Sequence, residues 1–140
     1  LLALDEPLKP VLDPAIYVEP KDKLPDSEDA RQTEAVAFLR KHARACRVYA
    51  VPNGGKRTPW AAAKAKREGM LSGEPDLGIA WADVTARPEF KDGRSMPSPE
   101  QIEALNWYHR RGHPVAVVRT IEGLMAWLRS IGAPVPVVRG

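Results

Sequence analysis

One cysteine in 140 residues, Cys46, excludes an internal disulfide and any cysteine-based zinc knuckle. It makes a reducing compartment the default. No apolar run approaches the ~18 residues that a membrane span needs, and the opening Leu-Leu-Ala-Leu is too short for a signal-peptide core. Neither a membrane partner nor secretion is expected. The three histidines do not form a ligand set either. Gly112 and Pro114 break any helix that could bring His109 and His113 onto one face. The Asn-Gly-Gly-Lys-Arg-Thr stretch at 53–58 lacks the Walker spacing, so no nucleotide cofactor is expected. Internal repeats and low-complexity tracts are missing too, and nothing favours a serine or cysteine nucleophile.

The chain does contain an uneven distribution of charge. Its net charge is only +3, yet between Arg31 and Met70 ten lysines and arginines face two acids, Glu34 and Glu68. Such a concentration fits an anionic partner such as DNA, or otherwise a solvated basic face. Residues 1–26 hold five of the fourteen prolines and show no helical period, which reads as an extended arm, either disordered or laid along a neighbour, with no strand in it. One folded domain is expected over 27–133, with 134–140 as a tail.

Within that domain the punctuation is informative. Ser27 or Asp26 can cap a helix whose apolar stripe is Ala35, Val36, Leu39 and Ala43. A strand at 47–51, a turn-rich loop at 52–59 and a helix over 60–69 follow. "DLGIAW" at 76–81 and the stretch carrying Glu89, Phe90 and Lys91 read as two strands joined by a turn near 82–84. Ser98-Pro-Glu-Gln101 is a capping box that opens the next helix, and Gly112 ends it. A buried strand at 114–120 and a helix over 121–131 complete the order α, β, α, β, β, α, β, α. The expected class is α/β, a small mixed central sheet flanked by helices.

Strand periodicity then locates the chemistry. Glu89 and Lys91 share one face while Phe90 turns to the other. A hairpin around 82–84 brings Asp76 opposite Glu89. Two carboxylates that close repel unless one takes up a proton or a cation intervenes. Mg²⁺ or Mn²⁺ fits such an oxygen set, and a lysine beside it can orient water or contact a phosphate. Each piece alone is unspecific, and a cross-strand salt bridge explains the same residues.

Four ordered blocks sharpen this. "VPNGG" (51–55), "AKAKREGMLSGEPDL" (63–77), "EFKDGRSMPSPEQ" (89–101) and "GHPVAVVRT" (112–120) together resemble the VRR-NUC domain, a branch of the PD-(D/E)xK nuclease superfamily, in its standalone phage and bacterial form. The resemblance implies a restriction-endonuclease-like core and Mg²⁺- or Mn²⁺-dependent cleavage of DNA, duplex or branched. It further implies a homodimer related in fold to Holliday-junction resolvases, working in the cytoplasm of a bacterial or phage-infected cell. By that likeness Asp76, Glu89 and the main-chain carbonyl of Phe90 bind metal, with Glu34 as the acid from the first helix. Lys91 matches the catalytic lysine and Gln101 the glutamine of S-x-x-Q.

DNA contacts are expected from Arg44, Asn53, Gly54, Gly55, Lys56, Arg57, Lys64 and Arg67. Trp60, Lys64 and Arg67 fall on one face of the 60–69 helix, while Ala61 and Ala65 form a small-residue face for close packing. Pro88 departs from the pattern, because proline cannot donate to a ladder. Either the strand starts at Glu89 or the site is distorted. That leaves an alternative, a catalytically inert DNA-binding module on a nuclease-like fold.

Overall fold

A computed structural model describes residues 8–52 and 57–138. The elements are β1 (Tyr17–Val18), α1 (Glu28–His42), β2 (Arg47–Ala50), α2 (Pro59–Arg67), β3 (Leu77–Trp81), β4 (Val84–Phe90), α3 (Pro99–Arg110), β5 (Val115–Val118) and α4 (Ile121–Ser130). The class is the expected one, a mixed five-stranded sheet in the order β1-β5-β4-β3-β2 with helices around it. β1, β5 and β4 run parallel, while β4, β3 and β2 alternate in direction.

The alternation of β5 explains the layering. Ala116 and Val118 face one way and join Leu39, Leu124, Met125 and Leu128 in the larger core under α1 and α4. Val115 and Val117 face the other way and meet Leu105 of α3 and Ile16. Ser27, Thr58, Ser98 and Thr120 each cap a helix by accepting a backbone N–H. At Ser98 both halves of the capping box form.

Two expectations are corrected. The arm is not strand-free, since Tyr17 and Val18 pair with Ala116 and Val117. Residues beside that pair are held by side chains far away in sequence. Asn106 accepts from the Asp13 N–H and donates to the Val11 carbonyl. The Glu19 carboxylate accepts from the N–H groups of Arg119 and Thr120 and from the Thr120 hydroxyl. Asp22 accepts from the two terminal guanidinium nitrogens of Arg31, each at 2.8 Å. The second correction concerns Pro88, which lies within β4 rather than ahead of it. The N–H groups of Arg87 and Lys91 donate to β5, so in an extended strand the Pro88 nitrogen faces β3 instead. There the paired residues stop at Ile79 and Ala86. Proline therefore falls just past the end of the β3–β4 ladder, and the β5 side keeps its bonds.

The arm's seat rests on an absent side chain. A Cβ on Gly123 would lie 2.0 Å from Glu19 Oε1. Helix propensity alone predicts that Gly123→Ala stabilises α4 by about 1 kcal/mol. The collision predicts the reverse, because shifting Glu19 breaks its bonds to residues 119 and 120. The expected result is a loss of about 1–3 kcal/mol in urea unfolding. The loss should shrink in a Glu19→Ala background, where the collision partner is gone.

Candidate active site

The parallel strands end, and β3 begins, at the same edge of the sheet. The N-termini of α1, α3 and α4 lie at that edge too, so four separate segments deliver side chains to one place. Extending the β3–β4 register places Asp76 opposite Glu89, as the hairpin predicts. One carboxylate oxygen from each of Glu28, Asp76 and Glu89 lies within 4.8 Å of the others. Glu89 is wholly buried and Lys91 is 7% exposed. The Lys91 ammonium stands 3.7 Å from Glu28 Oε2 and 4.0 Å from Glu89 Oε2.

The prolines clarify the backbone around this cluster. In the same extended register Phe90 falls opposite Pro75, which has no N–H to give. The Phe90 N–H, with no β3 carbonyl bonded to it, donates to Asp76 Oδ2 at 2.7 Å. N–H and C=O of one strand residue point to the same edge, so the Phe90 carbonyl faces the Asp76 side and receives no ladder bond from Pro75. The Pro-Asp pair thus directs the acid and frees a carbonyl in one step.

Gln101 does two things at once. Its Oε1 accepts from the Ser98 N–H at 2.8 Å, completing the cap, and its Nε2 donates to Glu89 Oε2 at 3.2 Å. Glu89 Oε1 is buried, and no N–H or O–H among the described residues donates to it. Burial and then Asp76, by hydrogen bond and by charge, push the Glu89 carboxyl up to about 10 against the opposing pull of Lys91. Burial also raises Glu28, with Lys91 lowering it and Asp76 adding to the rise. Without a cation, Glu89 keeps a proton that offsets the crowding of three carboxyl groups around one ammonium, and its buried Oε1 has no donor among the described residues. This donor set suits a hard divalent cation, whose oxygen ligands would be these carboxylates and the Phe90 carbonyl.

Not every expected residue is here. Glu34 is exposed and lines a shallow cleft with Arg31 and Arg119 instead. Glu28 stands in its place. The helix stripe that meets the body runs through Arg31, Ala35 and Leu39, and stepping back from Arg31 by three residues gives Glu28, while Glu34 lies off the stripe. That spacing was the available signal. Arg44 follows α1 at the end remote from Glu28, about 22 Å away along a helix of fifteen residues. Arg57, Lys64 and Arg67 are exposed on or beside α2. Asn53, Gly54, Gly55 and Lys56 lie outside the described residues. Ala61 and Ala65 do not serve close packing, since α2 buries none of its residues.

Sequence reasoning also missed Arg119. Its buried guanidinium donates to the carbonyls of Glu19, Asp92 and Ser95. It thereby ties the arm to the loop that follows Lys91. Asp92 holds the same loop by accepting from the N–H groups of Arg94 and Ser95, which lower its carboxyl to about 2.

No family model and no curated relative matches the chain. Among solved structures, a "VRR_NUC domain protein" aligns with a TM-score of 0.58 and 24% identity, over 74% of this chain and 86% of that one. The chain has the VRR_NUC fold. The likeness is one of architecture, an α/β sheet with helices around it, and it agrees with the blocks read from the sequence. Within this VRR_NUC fold the acidic cluster sits at the sheet edge where β3 begins and β4 ends. No helix among the described residues is long and apolar enough to cross a membrane.

Proposed function

We propose that the chain is a metal-dependent endonuclease that hydrolyses DNA phosphodiester bonds. The observation that carries this reading is the buried Oε1 of Glu89, without a donor among the described residues, inside a three-carboxylate cluster with an ammonium beside it. A structural salt bridge would need one acid for one base. Here the surplus of carboxylates calls for a cation, and the VRR_NUC fold supplies the nuclease context.

Glu28, Asp76, Glu89 and the Phe90 carbonyl would hold Mg²⁺ or Mn²⁺. When bound, such an ion acidifies a coordinated water and offsets charge on a phosphate oxygen. Lys91 is placed to donate to the attacking water or to a non-bridging oxygen of the scissile phosphate. Gln101 orients the Glu89 carboxylate from the capped end of α3. Hydrolysis adds the water oxygen to phosphorus and leaves the displaced sugar oxygen protonated. Arg57, Lys64 and Arg67 would contact the DNA backbone, with salt-sensitive affinity. The reading includes a homodimer acting on duplex or branched DNA. Pro88, which lies beside the ladder's end, displaces none of the ligands and so does not favour the inert alternative.

The test pairs the observed acid with the expected one. Purified protein titrated with Mn²⁺ should bind at least one ion, and it should cut labelled duplex or branched DNA in Mg²⁺ or Mn²⁺. Glu28→Gln should weaken Mn²⁺ binding at least about tenfold by calorimetry and slow cleavage correspondingly. Glu34→Gln should change neither by more than about twofold. Wild type that neither binds Mn²⁺ nor cuts any of these DNAs would refute the nuclease assignment.

A further inference from the structure

Among the described residues, α2 is the one helix that contributes nothing to either core. A nine-residue helix that buries no side chain gains little from the body of the protein, and one that short is marginal on its own. It also carries the large exposed ring of Trp60, 69% accessible, where an aromatic has no hydrophobic reason to be. The Lys64 ammonium stands 5.9 Å from the centre of that ring. Arg57, Trp60 and Lys64 wall an open cleft floored by Ala61 and Ala65. The acid there, Glu68, lies 3.8 Å from Lys64.

The position of this cleft is set by β2 and β3. The Val51 N–H donates to the Asp76 carbonyl at 2.8 Å, so the segment bearing α2 leaves the sheet beside a proposed metal ligand and returns directly to it.

We propose that Trp60 stacks on an unpaired base of the DNA, with Arg57 and Lys64 taking the adjoining phosphates. The inference rests on the nuclease reading and gives its site a preference for substrates with unpaired nucleotides. Phosphates alone explain the cations but not the ring. A base offers what the ring lacks, an apolar π face, and stacking of this kind tolerates any sequence. Bases inside a duplex are already stacked on both faces. Only an unpaired or terminal base is free to meet Trp60.

The test compares two labelled DNAs in Ca²⁺ to block cleavage, one a covalently closed circular duplex with every base paired and the other the same circle carrying a single-stranded flap. For the flap, Trp60→Ala should lose about tenfold in affinity, and Trp60→Phe should recover most of it. For the flap-free circle, Trp60→Ala should lose less than about twofold. A 2-aminopurine in the flap should be quenched on binding wild type and not on binding Trp60→Ala. Because the ring is exposed, thermal unfolding of both variants should match wild type. Equal losses on the two DNAs, or no loss on either, would overturn the proposal while leaving the nuclease reading intact. Wild type that binds neither DNA would overturn both.

Discussion

Lys91→Met is expected to slow DNA cleavage about a hundred- to a thousandfold while DNA affinity changes only a few-fold. Methionine keeps the length and apolar stem of the side chain, so the packing around a residue only 7% exposed is largely retained. What is lost is a positive charge held 3.7 Å from Glu28 and 4.0 Å from Glu89. In a nuclease that charge acts on a reacting oxygen, and removing one preorganised donor to developing negative charge has an effect of this size. The lysine cannot readily be replaced by drift of a neighbour. Lys91 N–H is fixed to the Val118 carbonyl at 3.0 Å, and the loop after it is tied down by Arg119. Single-turnover cleavage with saturating enzyme separates the chemical step from binding. If the variant cuts as fast as wild type, in preparations free of other nucleases, Lys91 is a structural partner of the acids and no more.

The parts of this site legible in the sequence are those set by local periodicity. Glu89, Phe90 and Lys91 alternate because strands do, and a two-residue turn at Ala82 and Asp83 puts Asp76 across from Glu89. Gln101 could be placed because a capping box fixes its backbone, though its second bond to Glu89 depends on where α3 docks. Glu28 failed for the opposite reason. Both it and Glu34 lie on one helix, and only the rotation of that helix against the sheet decides between them. The arm was less legible still. β1 is two residues long, and its anchors at Asn106, Arg119 and Thr120 lie about a hundred positions away, where no local pattern reaches. Five prolines point to extended chain and give no sign of whether that chain would find an edge strand to pair with. Pro75 and Pro88 show the same limit. Each looks like a strand breaker in isolation, yet together they stop the β3–β4 ladder where the acid and the carbonyl are needed.

The second large effect is on stability rather than rate. In metal-free protein Glu89→Gln is expected to be more stable than wild type at pH 8 and about equal to it at pH 5. Burial and Asp76 hold the folded carboxyl at about 10, against 4.5 for an ordinary glutamate. Between those values the folded chain keeps a proton that the unfolded chain has released. The unfolded state then binds fewer protons than the native one, so wild-type stability falls as pH rises, by up to about 1.4 kcal/mol per pH unit. Below about pH 4.5 both states are protonated and this cost disappears. Glutamine is a neutral near-isostere of the protonated acid and does not titrate, so the gap between variant and wild type should widen steadily from pH 5 to pH 8. Urea midpoints at each pH measure it. Mn²⁺ should then narrow the gap. It binds the ionised carboxylate, stabilising wild type by about 2.7 kcal/mol at a hundred times its dissociation constant, with much less effect on the glutamine variant. A gap that stays constant with pH would mean that Glu89 is ionised in the folded protein too, so that burial and Asp76 do not hold a proton there.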